Sequence, residues 1–412
     1  MQRFTAIQYL MIDIANSFGL DKSTWNARLD WFTQNQNMLA HCSWNELVEM
    51  GRLAEEPAQF IAGVNAYRHA LNGEATGYLC GLDATASGIQ LLSVLSGCIK
   101  SASMCNLVNT GKREDAYTGA YEHMCTMVES NVDFQRKPVK QALMTHFYGS
   151  KAAPRTAFGK DTPELAAFYR MIDELMPGAD ILNRDLLALW QPDAFEHCWT
   201  MPDGFDVRIK VMVGVQKTFQ FMEKTETLTE YVNQPAESGL SLGANIVHSI
   251  DGMVVREMGR RCSYDTNKVI NVAACVRLYS QCGKSTKREK DLALLRTLEA
   301  ADMSKFMSAV VFEYLDENNA GHLTHEQATK IIELIQSMPS RPFYVLAIHD
   351  CFKFHANYGN DVREQYMTIL ADLADSEILS SIASQIAGRD MPVKKMSDNL
   401  SVLIHQSEYA LS

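Results

Sequence analysis

The sequence predicts an α+β fold, on three observations. Most of the chain reads as helices from the spacing of its apolar side chains, only two short segments read as buried strands, and those two lie far apart in the chain. There is no internal repeat and no low-complexity segment.

The first 75 or so residues read as helices. Leu29, Phe32 and Leu39 recur at roughly helical spacing, and Glu55-Glu56-Pro57 starts a further helix through residue 71. GYLCGLD, residues 77–83, is short, apolar and bounded by glycine, as a buried strand should be. From Ala84 to about Trp190 the pattern is mainly helical, with breaks at Asn109-Thr110-Gly111 and Pro177-Gly178. Residues 261–340 read as an inserted helical block that includes the charged run at 284–291. RPFYVLAIHD, residues 341–350, is the second strand, and CFKFHA after it can pair back as a hairpin.

At 47% hydrophobic, a chain of this length can bury a sizeable core. The N-terminal stretch lacks the basic run and long apolar core of a signal peptide. No window of about 18 uninterrupted apolar residues is present, which argues against a membrane span. The ten cysteines never form a C-x-x-C pair, a distribution that suits small buried hydrophobes in a reducing, cytosolic compartment. The formal charge of −11 counts against a free-standing nucleic-acid binder, although a local basic channel can sit inside an acidic surface.

Three sites carry chemistry. Asp83 follows an apolar strand, where its carboxylate is held rigidly, and Gly88 leaves room for close approach; in isolation it reads first as a turn or cap residue. In residues 136–151, Arg136, Lys140, Met144 and Tyr148 recur every four positions, a spacing that drifts about 40° per step and leaves all four on one slowly winding stripe. Pro138 is tolerated in the first turn, and Gly149 ends the helix. Two cations and a phenol on one face suit a nucleoside triphosphate, with Arg136 and Lys140 toward the phosphates and Tyr148 toward sugar and base; the plainer reading is a solvated basic face. Asp350, after His349, sits where two strands turn, and a hairpin tip can project a carboxylate into a cleft. Two aspartates at distant strand ends flanking a cationic helix are what two-metal phosphoryl transfer requires, and magnesium needs few protein carboxylates when substrate phosphates complete its shell.

Together these residues resemble the single-subunit, phage-type DNA-dependent RNA polymerases. The family's motif A is an aspartate followed by Ser-Gly-Ile-Gln, here Asp83 with Ser87-Gly88-Ile89-Gln90. Motif B matches at Arg136, Lys140, Met144, Tyr148, Gly149, Ser150 and Lys151, and motif C at His349-Asp350. Flanking segments follow in family order: GLDK nominates Lys22 for the incoming triphosphate, NLVNTGKREDAYTG places Tyr117 near substrate, MPDGFDV occupies 201–207, and ESGLSLGANIVHSIDG places His248 near the nucleotide sugar. The C-terminal tail also looks like the family's, which ends near the active site.

The resemblance implies a right-hand polymerase fold with a small antiparallel palm sheet and mostly helical fingers. It divides the chain into N-terminal palm helices with motif A (1–110), fingers with motif B (111–235), a palm segment (236–260), the helical insertion (261–340), and the palm hairpin with motif C and the tail (341–412). It implies two Mg2+ ions at Asp83 and Asp350, with Lys140 and Tyr148 as catalytic residues, and substrate contacts from Arg136, Lys22, Tyr117, His248, His349 and Gly149. The family's N-terminal promoter-binding domain, its thumb and an Arg-containing motif that holds the RNA–DNA hybrid have no counterpart here, and the segment between Phe205 and Glu237, where the family has a promoter-reading hairpin, looks shortened. These gaps resemble the larger chain of polymerases split into two polypeptides in a group of podoviruses. The expected partners are therefore a second polypeptide supplying thumb and N-terminal parts, DNA template, RNA product, ribonucleoside triphosphates and a DNA-opening accessory factor, in the cytoplasm of an infected bacterial host if the chain is viral.

A DNA polymerase of the same superfamily is the nearest rival, but such enzymes carry a glutamate soon after the motif A aspartate and His-Asp-Glu in motif C; here residues 84–90 hold no glutamate and Cys351 follows Asp350. A non-catalytic scaffold subunit would have no need to keep both aspartates, Arg136, Lys140 and Tyr148. DENNAGHLTHEQ, residues 316–327, mimics a calcium loop, but Ala320 and Gln327 replace oxygen ligands at positions five and twelve, so it reads as a turn followed by a helix cap.

Overall fold

A computed structural model describes residues 1–128, 135–279 and 289–412, without the side chains of residues 279 and 289. Most of the charged run at 284–291 thus lies outside the described residues. The architecture is helix-rich with small antiparallel sheets, as an α+β fold requires.

The N-terminal helices are α1 (Ala6–Ala15), α2 (Trp25–His41), α3 (Trp44–Gly51) and α4 (Pro57–Leu71). Local chemistry sets their starts: Thr5 and Ser43 close capping boxes with Gln8 and Glu46, Thr24 caps α2, and Pro57 occupies the first turn of α4. After β1 (Leu79–Asp83), helices α5 (Ser87–Ser96), α6 (Ile99–Met104), α7 (Ala116–Met127), α8 (Arg136–Phe147), α9 (Ala152–Phe158), α10 (Pro163–Leu175) and α11 (Pro177–Ala188) follow. Pro177, expected as a break, opens α11 directly after α10. Two hairpins come next, β2 (Glu196–Thr200) with β3 (Asp206–Lys210) and β4 (Met212–Phe221) with β5 (Lys224–Asn233). The mainly helical pattern read up to about Trp190 ends with α11, and ten-residue strands β4 and β5 form an exposed ribbon in the segment read as shortened.

Helix α12 (Ser241–Cys262) runs unbroken across the boundary drawn at 260. Residues beyond it fold as α13 (Thr266–Tyr279), α14 (Glu289–Ser304), α15 (Val311–Tyr314) and α16 (His325–Ser337) around a second core that includes Val272, Leu294, Leu298, Val311, Phe312 and Ile331. Thr324 caps α16 in a capping box with Gln327, and Asn319 is buried, bonded to Asp291 and the Tyr314 carbonyl, so the calcium-like segment is a turn and a helix cap. The chain then forms β6 (Val345–Ile348), β7 (Cys351–His355), α17 (Gly359–Asp375), α18 (Ile378–Ala387) and α19 (Leu400–Ile404).

The sheet that positions the site has strand order β1-β7-β6, all antiparallel. Cys80 and Leu82 pair with Phe354 and Phe352, and all four are buried; the alternate residues Gly81, Asp83, Cys351 and Lys353 lie on the opposite, open face. Buried Asp13 of α1 accepts from the Gly81 N–H at 2.7 Å and from the Tyr78 hydroxyl at 2.6 Å, which anchors β1 two residues before Asp83. No helix among the described residues is long and apolar enough to cross a membrane.

The second core is bonded to α12 by a buried ionic knot. Glu257 accepts from Arg261, from the Ser308 hydroxyl at 2.5 Å and from the Ala309 N–H at 3.1 Å, while Arg261 also donates to Asp372 at 2.7 Å. Both Glu257 and Arg261 are fully buried. Glu257→Ala would leave the Arg261 charge uncompensated, and a loss of about 3–5 kcal/mol in denaturant titration is expected, with a smaller loss for Glu257→Gln. Nearby, burial opposes ionisation of Asp203, but hydrogen bonds from Arg256 and Arg260 outweigh it and hold the carboxyl below the usual range. That contribution is complete above the unfolded-state value of about 4 and is lost as pH falls through the folded-state value. The melting temperature should therefore drop on acidification below about pH 4, and Asp203→Asn should flatten that limb.

Candidate active site

Asp83 ends β1 and faces Cys351 across the ladder, and the Ala84 N–H donates to the Asp350 carbonyl at 3.0 Å. Two aspartates from distant parts of the chain are thus brought to neighbouring strand ends. Burial and a hydrogen bond to Asp83 push the Cys351 thiol up, so the Asp83 carboxylate lies on the open face beside it. Asp350 occupies the two-residue turn between β6 and β7, and His349 before it adopts φ +56°. Ala86, just before α5, also lies in the left-handed region at φ +64°. Non-glycine residues held there cost of order 1–3 kcal/mol and gather at functional sites.

The motif A element meets both α8 and the tail. The Tyr148 phenol lies against α5 at Gly88, its hydroxyl 3.5 Å from where a Cβ would stand, an ordinary van der Waals distance. Gln90 is fully buried and donates to Thr85 and to the carbonyls of Cys105 and Ala410, while Tyr366 donates to it at 2.7 Å. This knot holds the tail beside the site, where the Ser412 N–H donates to the Asp83 carbonyl at 2.9 Å.

Arg136 opens α8 and Tyr148 caps its end. Arg136 donates to Asp115 at 2.5 Å and to the Thr118 hydroxyl at 2.7 Å. Lys140 lies over the Tyr117 ring, 5.2 Å from its centroid. A cleft of about 200 Å³ is lined by Lys22, Asp83, Tyr117, Arg136 and Lys140 among others, and a second, of about 140 Å³, by Gly88, Tyr117, Met144, Tyr148 and Asp350. Tyr117 lines both; burial first, then the charges of Tyr148, Asp115 and Asp350, push its phenol up to about 12. Lys22 pairs with Asp21 at 3.3 Å in the turn after α1 and its π-helical extension.

His248, on the exposed side of α12, packs its ring 5.1 Å from that of Tyr148. His349 is exposed beside Asp350. Gly149 departs from the group: it is buried at φ +83°, an added Cβ would meet the Leu240 carbonyl at 3.0 Å, and it lines neither cleft. It shapes the exit from α8 and is not brought into contact with the open site.

Sequence reasoning missed two carboxylates. Asp251 lies one turn after His248 on α12; burial first, then the charge of Asp350, push its carboxyl up to about 6, with His248 and His349 opposing. Its spacing from His248 was the available signal. Asp115 caps α7, accepting from the N–H groups of Tyr117 and Thr118, while its other oxygen holds Arg136. Burial opposes ionisation there, but the Thr118 and Arg136 contacts overcome it and keep the carboxyl low. Among the described residues no group of three or more His, Cys, Asp or Glu gathers as a metal cage. Asp83 and Asp350, at neighbouring strand ends, are the residues that could hold a cation taking further oxygens from a bound phosphate.

Comparison with known proteins supports the motif-level resemblance. Residues 4–161 match the profile of the DNA-dependent RNA polymerase family, a stretch that contains Lys22, Asp83, Tyr117 and the Arg136–Lys151 element. A Neurospora crassa protein described as a probable DNA-directed RNA polymerase is 30% identical over 165 residues, which cover 35% of this chain and 18% of the relative. The chain therefore spans under a fifth of that relative's length.

Asp115→Ala removes both a helix cap and the partner of Arg136 and should lower stability by about 1–2 kcal/mol in thermal or urea unfolding. Asparagine caps nearly as well, so Asp115→Asn should recover most of it. Equal losses from both substitutions would assign the effect to the ion pair.

Proposed function

We propose that the chain is the catalytic part of a DNA-templated RNA polymerase, joining ribonucleoside triphosphates to an RNA 3′-hydroxyl. The observation that carries this reading is the meeting of Asp83 and Asp350 at neighbouring strand ends beside the Arg136–Tyr148 helix. The family match over residues 4–161 supports it. In this reading the β1-β7-β6 sheet is the palm, with α7–α11 in the fingers, and the parts with no counterpart here come from a second polypeptide. An accessory factor that opens DNA fits the same scheme.

Asp83 and Asp350 would hold the two magnesium ions, which supply activation of the 3′-hydroxyl and neutralisation of the triphosphate. Arg136 and Lys140, with Lys22, bind the phosphates by charge-assisted hydrogen bonds. Lys140 can also give a proton to the departing pyrophosphate. Asp115 and Tyr117 keep the two α8 cations from folding back into solvent. Tyr148, packed between Gly88 and His248, has its hydroxyl at the edge of the smaller cleft, where it can sense a ribose 2′-hydroxyl.

The test is primer extension on a primed single-stranded template by the chain with whatever co-purifies, comparing ribo- with deoxyribonucleotides. Asp83→Asn and Asp350→Asn should lose several orders of magnitude in rate while the melting temperature holds. Tyr148→Phe should reduce sugar discrimination by about tenfold or less, the worth of one hydrogen bond, with little slowing on ribonucleotides. Preferential use of deoxyribonucleotides by the wild type would overturn the reading in favour of a DNA polymerase.

A further inference from the structure

The cations around the larger cleft differ in how far they are already neutralised. Lys22 is paired with Asp21, Lys112 with Glu114 at 3.2 Å and Arg136 with Asp115. Arg113, on the loop that leads into α7, lines the same cleft as Asp83, Arg136 and Lys140. Its Nε donates to the Ser412 hydroxyl at 3.3 Å, and among the described residues no carboxylate lies within ion-pair distance of its guanidinium. Behind it Arg28 is fully buried: its Nε and Nη2 donate to the carbonyls of Ser23 and Asp21, and its Nη1 has no hydrogen-bond partner among the described residues. Burial, and then the charge of Arg113, pull Arg28 down to about 9, so the two guanidinium groups repel each other across this wall. Burial likewise lowers Arg113.

An arginine that is partly desolvated, beside a second arginine and opposed only by the charges of Asp21 and Asp115 beyond ion-pair distance, is stabilised by an anion supplied from outside. Its planar fork suits a phosphate, and its neighbours in the cleft are the two cations of α8. We infer that Arg113 is a fourth phosphate ligand for the incoming nucleoside triphosphate, acting with Lys22, Arg136 and Lys140. This rests on the polymerase reading above and extends it to a residue outside the three motifs. The phosphates of a nucleic-acid backbone share the chemistry, but the position beside Asp83 and the α8 cations favours the triphosphate.

The experiment uses the chain with its co-purifying partners and two equilibrium titrations, one with fluorescent N-methylanthraniloyl-ATP and one with a labelled primed template. Arg113→Gln should weaken the ATP analogue by about ten- to hundredfold, the loss of a charge-assisted contact, while template affinity and melting temperature hold. Arg113→Lys should recover part of the loss, since it restores charge without the fork. Unchanged affinity for the ATP analogue overturns the inference, and so does a loss confined to the primed template. If Arg113→Gln lowers the melting temperature, the folded Arg113→Lys decides: weakening supports the inference and wild-type affinity overturns it. Because these titrations need no turnover, wild-type protein that binds the analogue in an Arg113-dependent way yet extends no primer would sink the polymerase reading alone.

Discussion

The pairing of β1 with β7 governs the site, because it converts burial of four apolar side chains into placement of two acidic ones. Cys80, Leu82, Phe352 and Phe354 face the core, and strand alternation sends Asp83 and Cys351 to the open face. A slip of one residue would turn the core set outward and bury Asp83, so the hydrophobic term alone opposes any other register. Asp13 adds a polar lock at Gly81, and the Ala84–Asp350 backbone bond extends the ladder to the base of the β6–β7 turn. The carboxylates themselves need contribute nothing to stability.

In a chain with a net charge of −11, the cleft beside Asp83 gathers Lys22, Arg113, Arg136 and Lys140 together with the carboxylates of Asp21, Asp83, Glu114 and Asp115. Asp115 serves α7 and Arg136 with one carboxylate, and Tyr117 offers Lys140 a ring face in place of a counter-ion. These arrangements fix the cations, and the field at the cleft depends on groups within a Debye length and not on the sum over the molecule.

How much could be read from the sequence follows from the range of the interactions involved. The two strands, the α8 stripe and the position of Asp350 at a turn depend on local periodicity, and they were legible. The β4–β5 ribbon was not, although Val213, Val215, Phe219 and Phe221 alternate. Its turn is Met222-Glu223, with φ +47° and +62°, where Asn-Gly would have announced a hairpin. Asp115 could have been read as a helix cap, but its grip on Arg136 joins residues 21 apart through a fold that had yet to be found. Gly149 was read as a substrate contact from its place in a motif, and its positive φ and the nearby Leu240 carbonyl give a local reason for glycine there that the sequence does not display.

The helical block after α12 shows how the chain accepts additional mass without disturbing this geometry. Its two ends meet, since the Phe343 N–H donates to the Cys262 carbonyl at 2.8 Å and the Ser263 hydroxyl donates to the Phe343 carbonyl at 2.9 Å. The described residues between close as a loop on a fixed base, immediately before β6. The block has a core of its own and meets the rest at Glu257 and Arg261, at Phe306, which joins the main core, and at Ser304, whose carbonyl accepts from the Glu377 N–H at 2.6 Å. Glu257 and Arg261 lie on the helix that also bears His248 and Asp251, and at 1.5 Å per residue Glu257 is about 9 Å along the axis from Asp251. The ionic knot therefore grips α12 less than two turns from the site, so the block braces the helix that presents His248 to Tyr148 while leaving the β6–β7 turn free to carry Asp350.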